Sequence, residues 1–209
     1  MTTRFATHAR TVGGLLLLVV AAGCSKSDIL MPDTPDVITA DKLDSPEGQA
    51  ALYAGAVSDL VVTVTGGSGI AIFSGLFTDE LMHASTPPAV RDWDVRTVLS
   101  TNSVASGATG PFLSIQRART ALEVAAKRLP ANDVRTGELW ALSGMSYILL
   151  GEVWCSGAPV SERDPALQLG SPLSTAELFN RAVERLTTAA SNTGGDARIQ
   201  NLVAVLRGR

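Results

Sequence analysis

Leu139-Trp140-Ala141-Leu142-Ser143-Gly144-Met145-Ser146-Tyr147-Ile148-Leu149-Leu150-Gly151-Glu152-Val153 decides the fold of this chain. Leu139, Leu142, Met145, Tyr147, Leu149, Leu150 and Val153 leave almost no polar face, and a helix that is apolar nearly all round has to be covered on several sides. The stretch predicts a central helix, stopped by Gly157 and Pro159, with other helices packed around it.

Its neighbours in sequence supply those partners. Ile115, Ala118, Leu122, Ala125 and Leu129 recur at steps of three and four, which gathers them on one stripe of a helix that Pro130 ends. Leu178, Phe179, Ala182, Leu186 and Ala189 do the same to about Ala190. That helix is opened by Ser174-Thr175-Ala176-Glu177, in which serine and glutamate at this spacing satisfy each other's backbone N–H groups. After Gly194-Gly195, Asp196 opens a last helix carrying Ile199, Leu202, Val203 and Leu206.

Upstream, Ser45 caps a helix that starts at Pro46 and sets Ala50, Tyr53, Val57, Leu60 and Val61 on one face, reaching about Val64. Thr65 to Gly69 breaks it. Phe73, Leu76, Phe77 and Leu81 then predict a shorter helix, ending near His83, that pairs with the first. Ala84 to Gly110 is rich in Ser, Thr, Pro and Gly and reads as a long loop, and Ser161 to Pro172 as a polar crossing. No run of any length alternates with the period of two that a half-buried strand requires. The expected class is all-α, built as antiparallel helix pairs joined by turns.

The N-terminus reads as an export leader. Arg4, His8 and Arg10 form a basic head, Val12 to Ala22 an apolar stretch, and Ala21-Ala22-Gly23 a small-residue approach to Cys24. A diacylglyceryl group on Cys24 would make residues 1–23 a lipoprotein signal peptide and residues 24–44 a proline-punctuated tether, leaving residues 45–209 as one helical domain. The apolar run is about half of the roughly 20 residues that a spanning helix needs. Ala21 stands where lipoprotein signals more often carry leucine, so an ordinary cleaved signal is the competing reading.

Composition narrows the functional classes. The 209 residues carry 17 Lys and Arg against 20 Asp and Glu, a formal net charge of -3, and without clustered cations phosphate backbones have nothing to bind. Nucleic acid is not an expected partner. With Cys24 lipidated, Cys155 has no thiol to pair with and is expected as a small buried hydrophobe.

Histidine is scarce: beyond the leader only His83 remains, so a Ser-His-Asp triad would have to use it. Glu80 and His83 stand three apart, as in carboxylate-bridged metal sites, but those sites need two such pairs. Gly66, Gly67 and Gly69 lack the Lys-Ser or Lys-Thr of a phosphate loop and read as a turn. Asp92-Trp93-Asp94 sits within the long loop. Its two carboxylates fall well short of the six to eight oxygens of a calcium site, and Trp93 offers a flat face on which a sugar ring could stack, or a plug that pins the loop. Trp140 and Trp154 are expected to pack in the core. No catalytic residue, metal or cofactor is expected.

Three segments resemble the SusD/RagB nutrient-uptake lipoproteins of bacterial outer membranes. The first runs from Pro35-Asp36-Val37-Ile38-Thr39 through Asp59-Leu60, with Glu47-Gly48-x-x-Ala51-Leu52-Tyr53-x-Gly55-Ala56. The second is Phe77-Thr78-Asp79-Glu80 and the polar loop after it. The third, and most specific, is Ala141 to Pro159, followed by Ser174 to Ala190 and Asn201 to Arg209. The resemblance implies tetratricopeptide-like helix pairs and a lipid-anchored, cell-surface lid on a SusC-like TonB-dependent transporter that captures glycans or other nutrients. Ligand contacts would then come from Trp93, Asp92 and Asp94. Family members are roughly twice this length or more, against typical domains of about 50–250 residues. The chain is therefore expected to correspond to their N-terminal part, and a helical docking scaffold or a fragment without function is the alternative.

Overall fold

The computed structural model describes residues 42–209, apart from 109, 131, 164 and 165. The leader, Cys24 and the tether up to residue 41 lie outside the described residues. The fold is all-α. It consists of α1 (Pro46–Thr65), α2 (Ile70–Phe77), α3 (Pro88–Asp94), α4 (Pro111–Arg128), α5 (Arg135–Val153), α6 (Thr175–Ser191) and α7 (Ala197–Gly208). Four two-residue strands stand between α5 and α6: β1 (Ala158–Pro159), β2 (Glu162–Arg163), β3 (Leu167–Gln168) and β4 (Pro172–Leu173). β1 pairs antiparallel with β4, and β2 with β3. The crossing expected between Ser161 and Pro172 is thus a small ribbon folded back on itself.

The caps are those the sequence indicates. Ser45 Oγ accepts from Gly48 N at 3.1 Å ahead of Pro46. Ser174 Oγ accepts from Glu177 N at 3.3 Å while Glu177 Oε2 accepts from Ser174 N at 2.7 Å, and Asp196 accepts from the N–H groups of Arg198 and Ile199. Each removes a donor that a helix start would otherwise leave unpaired.

α5 is the hub, packed against α4 and α6 along its length and touched by α7 and α1. Leu139, Ala141, Tyr147 and Leu150 are fully enclosed, facing Ile115, Ala118, Leu122 and Ala125 of α4 and Leu178, Leu186 and Ala189 of α6. Val153 and Phe179, both expected in the core, are partly open to solvent. α5 and α6 approach closely at glycines. A β-carbon at Gly137 would lie 2.4 Å from the Asn192 carbonyl oxygen, and one at Gly144 2.9 Å from the Leu186 side chain. Because Gly137 meets the end of α6 and Gly144 its middle, the two helices run antiparallel.

The first helix differs from expectation in its partner. α1 lies chiefly on α4 and only lightly on α2, burying Ala56, Leu60 and Thr63 beside Tyr53 and Val57, while Ala50 and Val61 face outward. The stripe that counts is 53, 56, 57, 60, 63 and 64, a cleaner three-four repeat than the one read from hydrophobicity alone. The stretch Pro46–Phe77 has the length and apolar character of a membrane span, yet it breaks at Gly66 and spends one face on α4. α2 stops at Phe77, short of His83, because Asp79 takes a left-handed φ of 63° and Leu81 N returns to Gly75 O at 2.9 Å.

Two polar clusters join these helices, the first enclosed and the second with Arg198 open to solvent. Arg119 is 1% exposed, and its guanidinium donates to Gln116 Oε1, Glu123 Oε2, Tyr147 Oη, Thr120 Oγ1 and the Ser161 carbonyl. Glu123 Oε1 also accepts from Ser143 Oγ at 3.0 Å and Arg185 Nε at 2.9 Å. The second cluster joins three helices. Arg198 of α7 forks Glu138 of α5 at 2.7 and 2.6 Å, and Tyr53 of α1 donates to the same carboxylate at 2.7 Å. Arg198 holds Glu138 below the ordinary carboxylate range, against the opposing effect of burial, and the Tyr53 hydroxyl adds to the depression.

Gly137→Ala should lower unfolding free energy by about 1–3 kcal/mol in urea, the usual cost of overpacking against backbone. Gly55→Ala, where a β-carbon meets open space, should be neutral or stabilising by up to about 1 kcal/mol; equal losses at both sites would refute the close approach of α5 and α6. A carboxylate whose folded pKa is depressed contributes stability above its unfolded value, about 4.3, that is lost as pH falls through the folded value. The urea midpoint should therefore drop between pH 5 and pH 3, and Glu138→Gln should flatten that drop. An unchanged slope in the variant would exclude Glu138 as its source.

Candidate functional site

The described residues enclose a cleft of about 320 Å³ lined by Ile70, Phe73, Ser74, Phe77 and Thr78 of α2 and its C-cap, Trp93 of α3, Pro111 of α4, and Glu152, Val153 and Trp154 at the end of α5. That volume is at the small end of ligand pockets. The order of elements explains why the cleft exists. α2 and α3 form an annex that leans on the α1–α4–α5 core from one side, and the C-terminal end of α5 forms the opposite wall.

The annex is held by charge and by aromatic packing. Arg96, with φ 56°, ion-pairs with Asp79, with φ 63°, and its Nε donates to Phe77 O at 3.1 Å. Two left-handed turns, one after α2 and one after α3, are thereby tied together. Trp93 packs on Phe73 with ring centroids 4.9 Å apart and meets Phe77 edge-on at 6.4 Å. On the other wall Trp154 meets Phe112 edge-on at 5.5 Å.

The segment from Ala84 to Gly110, expected as a loop throughout, contains α3 and then folds around Asn102. Asn102 is buried: its Nδ2 donates to Ala89 O at 2.9 Å and Asp92 Oδ2 at 2.8 Å, and its Oδ1 accepts from Val104 and Ala105 N. A short helix capped by proline and closed by one asparagine gives little periodic signal, so composition alone hides it.

Helix α3 also separates the three residues expected to act together. Successive positions on a helix turn by about 100°, so Asp92 and Asp94 point to nearly opposite sides of Trp93. Asp92 is committed to Asn102, the Asp94 carboxylate makes no hydrogen bond to the described residues, and only Trp93 of the three lines the cleft. Trp93 is a half-buried wall of the site, not an open stacking platform. Its Nε1–H is buried with no hydrogen-bond partner.

The other sequence candidates fall out as follows. Trp140 packs against the core with the Arg185 guanidinium 5.4 Å over its ring. Trp154 packs on the core and also faces the cleft, a role its place at a helix end hid. Glu80 is exposed and lies past the end of α2, so it does not share a helical turn with His83. His83 Nε2 lies 3.0 Å from Ser85 Oγ. Among the described residues no carboxylate bonds its other ring nitrogen, so the pair lacks the orienting group of a hydrolytic triad. Cys155 overturns expectation: it is exposed, at φ 53°. It occupies the left-handed position just past the C-cap of α5 that lets the chain reverse, which turns its side chain outward.

Glu152 is the single ionisable residue of the lining, and Arg209 forks it at 2.9 and 2.8 Å. The cleft is therefore apolar and aromatic, edged by the Ser74 and Thr78 hydroxyls and a neutralised carboxylate. No family model matches the chain, and neither the curated proteins nor the solved structures contain a match to it.

Native protein treated with iodoacetamide should be alkylated at Cys155 within minutes, as peptide mapping would read. Protection until denaturant is added would contradict the outward orientation of the thiol.

Proposed function

We propose that this chain is a non-enzymatic, lipid-anchored binding protein that captures glycans or another nutrient at the outer-membrane surface and passes them to a SusC-like TonB-dependent transporter. The cleft carries the reading: two tryptophans and two phenylalanines surround a compact hollow whose rim offers hydroxyls and no paired general acid and base. The resemblance of Ala141 to Pro159, Ser174 to Ala190 and Asn201 to Arg209 to SusD/RagB lipoproteins supports it, as does the paired-helix architecture, which we read as tetratricopeptide-like. Acylation at Cys24 supplies the location, because a diacyl-and-acyl modification holds a protein stably at a bilayer. Confinement at the transporter mouth then raises effective concentration without any new contact.

A second reading, a helical scaffold that docks proteins, is favoured by one observation. Phe77, Leu81, Met82, Val95 and Leu99 are all exposed around the annex, more apolar surface than small-ligand capture requires.

Calorimetric titration of the chain with an oligosaccharide panel separates the two. Saturable binding that weakens at least tenfold in Trp154→Ala or Trp93→Ala supports capture, whereas no binding by the unaltered protein favours the scaffold. In the native host, Cys24→Ala should move the protein from the membrane pellet to the supernatant. Retention in the pellet would remove the anchor from the proposal.

A further inference from the structure

We infer that the exposed apolar face of the annex docks a second copy of this chain, as a two-fold dimer. The inference goes beyond both readings above, and neither depends on it. The patch itself is the first support. Phe77, Leu81 and Met82 flank the turn after α2, Val95 and Leu99 the turn after α3, and the two turns are joined by the Arg96–Asp79 ion pair and by Arg96 Nε donating to Phe77 O at 3.1 Å. Met82 is 81% and Leu99 69% exposed. The five side chains leave on the order of 500 Å² open, against the roughly 300–600 Å² of the largest patch on a typical monomer. Doubled across a two-fold axis and extended by the polar residues between them, that area falls within the roughly 1,200–2,000 Å² that a specific interface buries. Pairing one patch with itself is how most homo-oligomers close.

Charge is the second support. Glu80 follows α2 and Arg91 and Asp94 lie on α3, and none of them is ion-paired with another described residue. A rim of both signs is complementary to its own copy, because Arg91 of one molecule can face Glu80 or Asp94 of the other. An anionic bilayer would meet two carboxylates against one free guanidinium. Composition is the third. Lys42 and Lys127, the lysines of the described residues, stand at the opposite end of the bundle, beside the Arg128–Asp44 pair, whereas the annex lies by Pro111 at the start of α4. Phenylalanine, methionine and arginine without lysine is the composition of the interior of a protein–protein interface, and a bilayer-docking face would carry cations in excess.

The test is sedimentation equilibrium on the full chain carrying Cys24→Ala, so that no lipid drives association, in reductant, so that Cys155 cannot cross-link it. The sample should be mainly dimeric at about 50 µM, as a micromolar dissociation constant requires. Met82→Glu and Leu99→Glu put an unpaired charge into the interface and should each raise that constant about tenfold or more. Arg91→Glu leaves the rim one-signed and should raise it several-fold. All three residues face solvent, so the circular-dichroism spectra of the variants should match that of the parent. Val205→Glu places the same charge on α7, where the residue is 71% exposed, and should leave the dimer intact. A monomer at the parent concentration, unchanged association in any of the three annex variants, or an equal loss in Val205→Glu would overturn the inference. So would flotation with phosphatidylglycerol vesicles that Met82→Glu abolishes, which would assign the face to a bilayer. A monomer that binds oligosaccharide would remove the dimer and leave nutrient capture standing, and a dimer that binds none would do the reverse.

Discussion

A guanidinium enclosed by protein needs an acceptor for each of its five N–H groups, and Arg119 is stable in the centre of this bundle because five acceptors from three parts of the chain converge on it. Three come from its own helix, at Gln116, Thr120 and Glu123, one from Tyr147 of α5 and one from the ribbon at Ser161. Glu123 then extends the arrangement to Ser143 of α5 and Arg185 of α6. Three helices and the connection between two of them are thus fixed in one register. Apolar stripes alone would allow these helices to slide by a turn, whereas a buried ion with unmet donors would not. Burial pushes the Tyr147 phenol above its ordinary range, with Glu123 adding to the effect, so this ring stays a neutral partner throughout the physiological range.

The cleft depends on that register at one remove. Ser161 belongs to the ribbon that follows Trp154, and Gln116, which accepts from Arg119, also donates to Pro159 O at 2.8 Å. The end of α5 is therefore anchored to α4 through the same side chains that fill the core. Glu152, Val153 and Trp154 form one wall of the hollow and inherit that rigidity. The opposite wall reaches the core through Ile70, with Phe73 and Leu76 also buried. Its outer part is held by the packing of Trp93 on buried Phe73 and by the Arg96–Asp79 pair at the surface, where ion pairs are weak.

The Glu138 cluster plays the corresponding part at the other end of the bundle. Tyr53, Glu138 and Arg198 join α1, α5 and α7, and Arg135 lies 5.6 Å from the Tyr53 ring centroid. The first and last helices of the domain, distant in sequence, meet on one carboxylate of the hub. Both clusters obey one rule: a charge placed on the most enclosed helix or against it acts as a fastener between elements that hydrophobic contact merely brings near.

Much of this was legible in the sequence. Helix spacing at 115–129, the near-continuous apolar run at 139–153, the Ser174–Glu177 box and the Asp196 cap determined the class of fold and most helix limits, because these signals arise from backbone hydrogen bonding within a few residues. What tertiary structure alone decided was pairing across distance: α1 against α4 instead of α2, the approach of α5 to α6 through Gly137 and Gly144, and the convergence of acceptors on Arg119. It also decided the site. Whether Trp93 was a stacking face or a plug for its loop could not be read from the sequence, because Ala84 to Gly110 lacks periodicity. Only the folding of that segment around Asn102 and against Phe73 turns it into a wall and sets Asp92 and Asp94 to either side of it. A local pattern records what each residue prefers, whereas a cleft is made by residues from four helices whose meeting no local preference encodes.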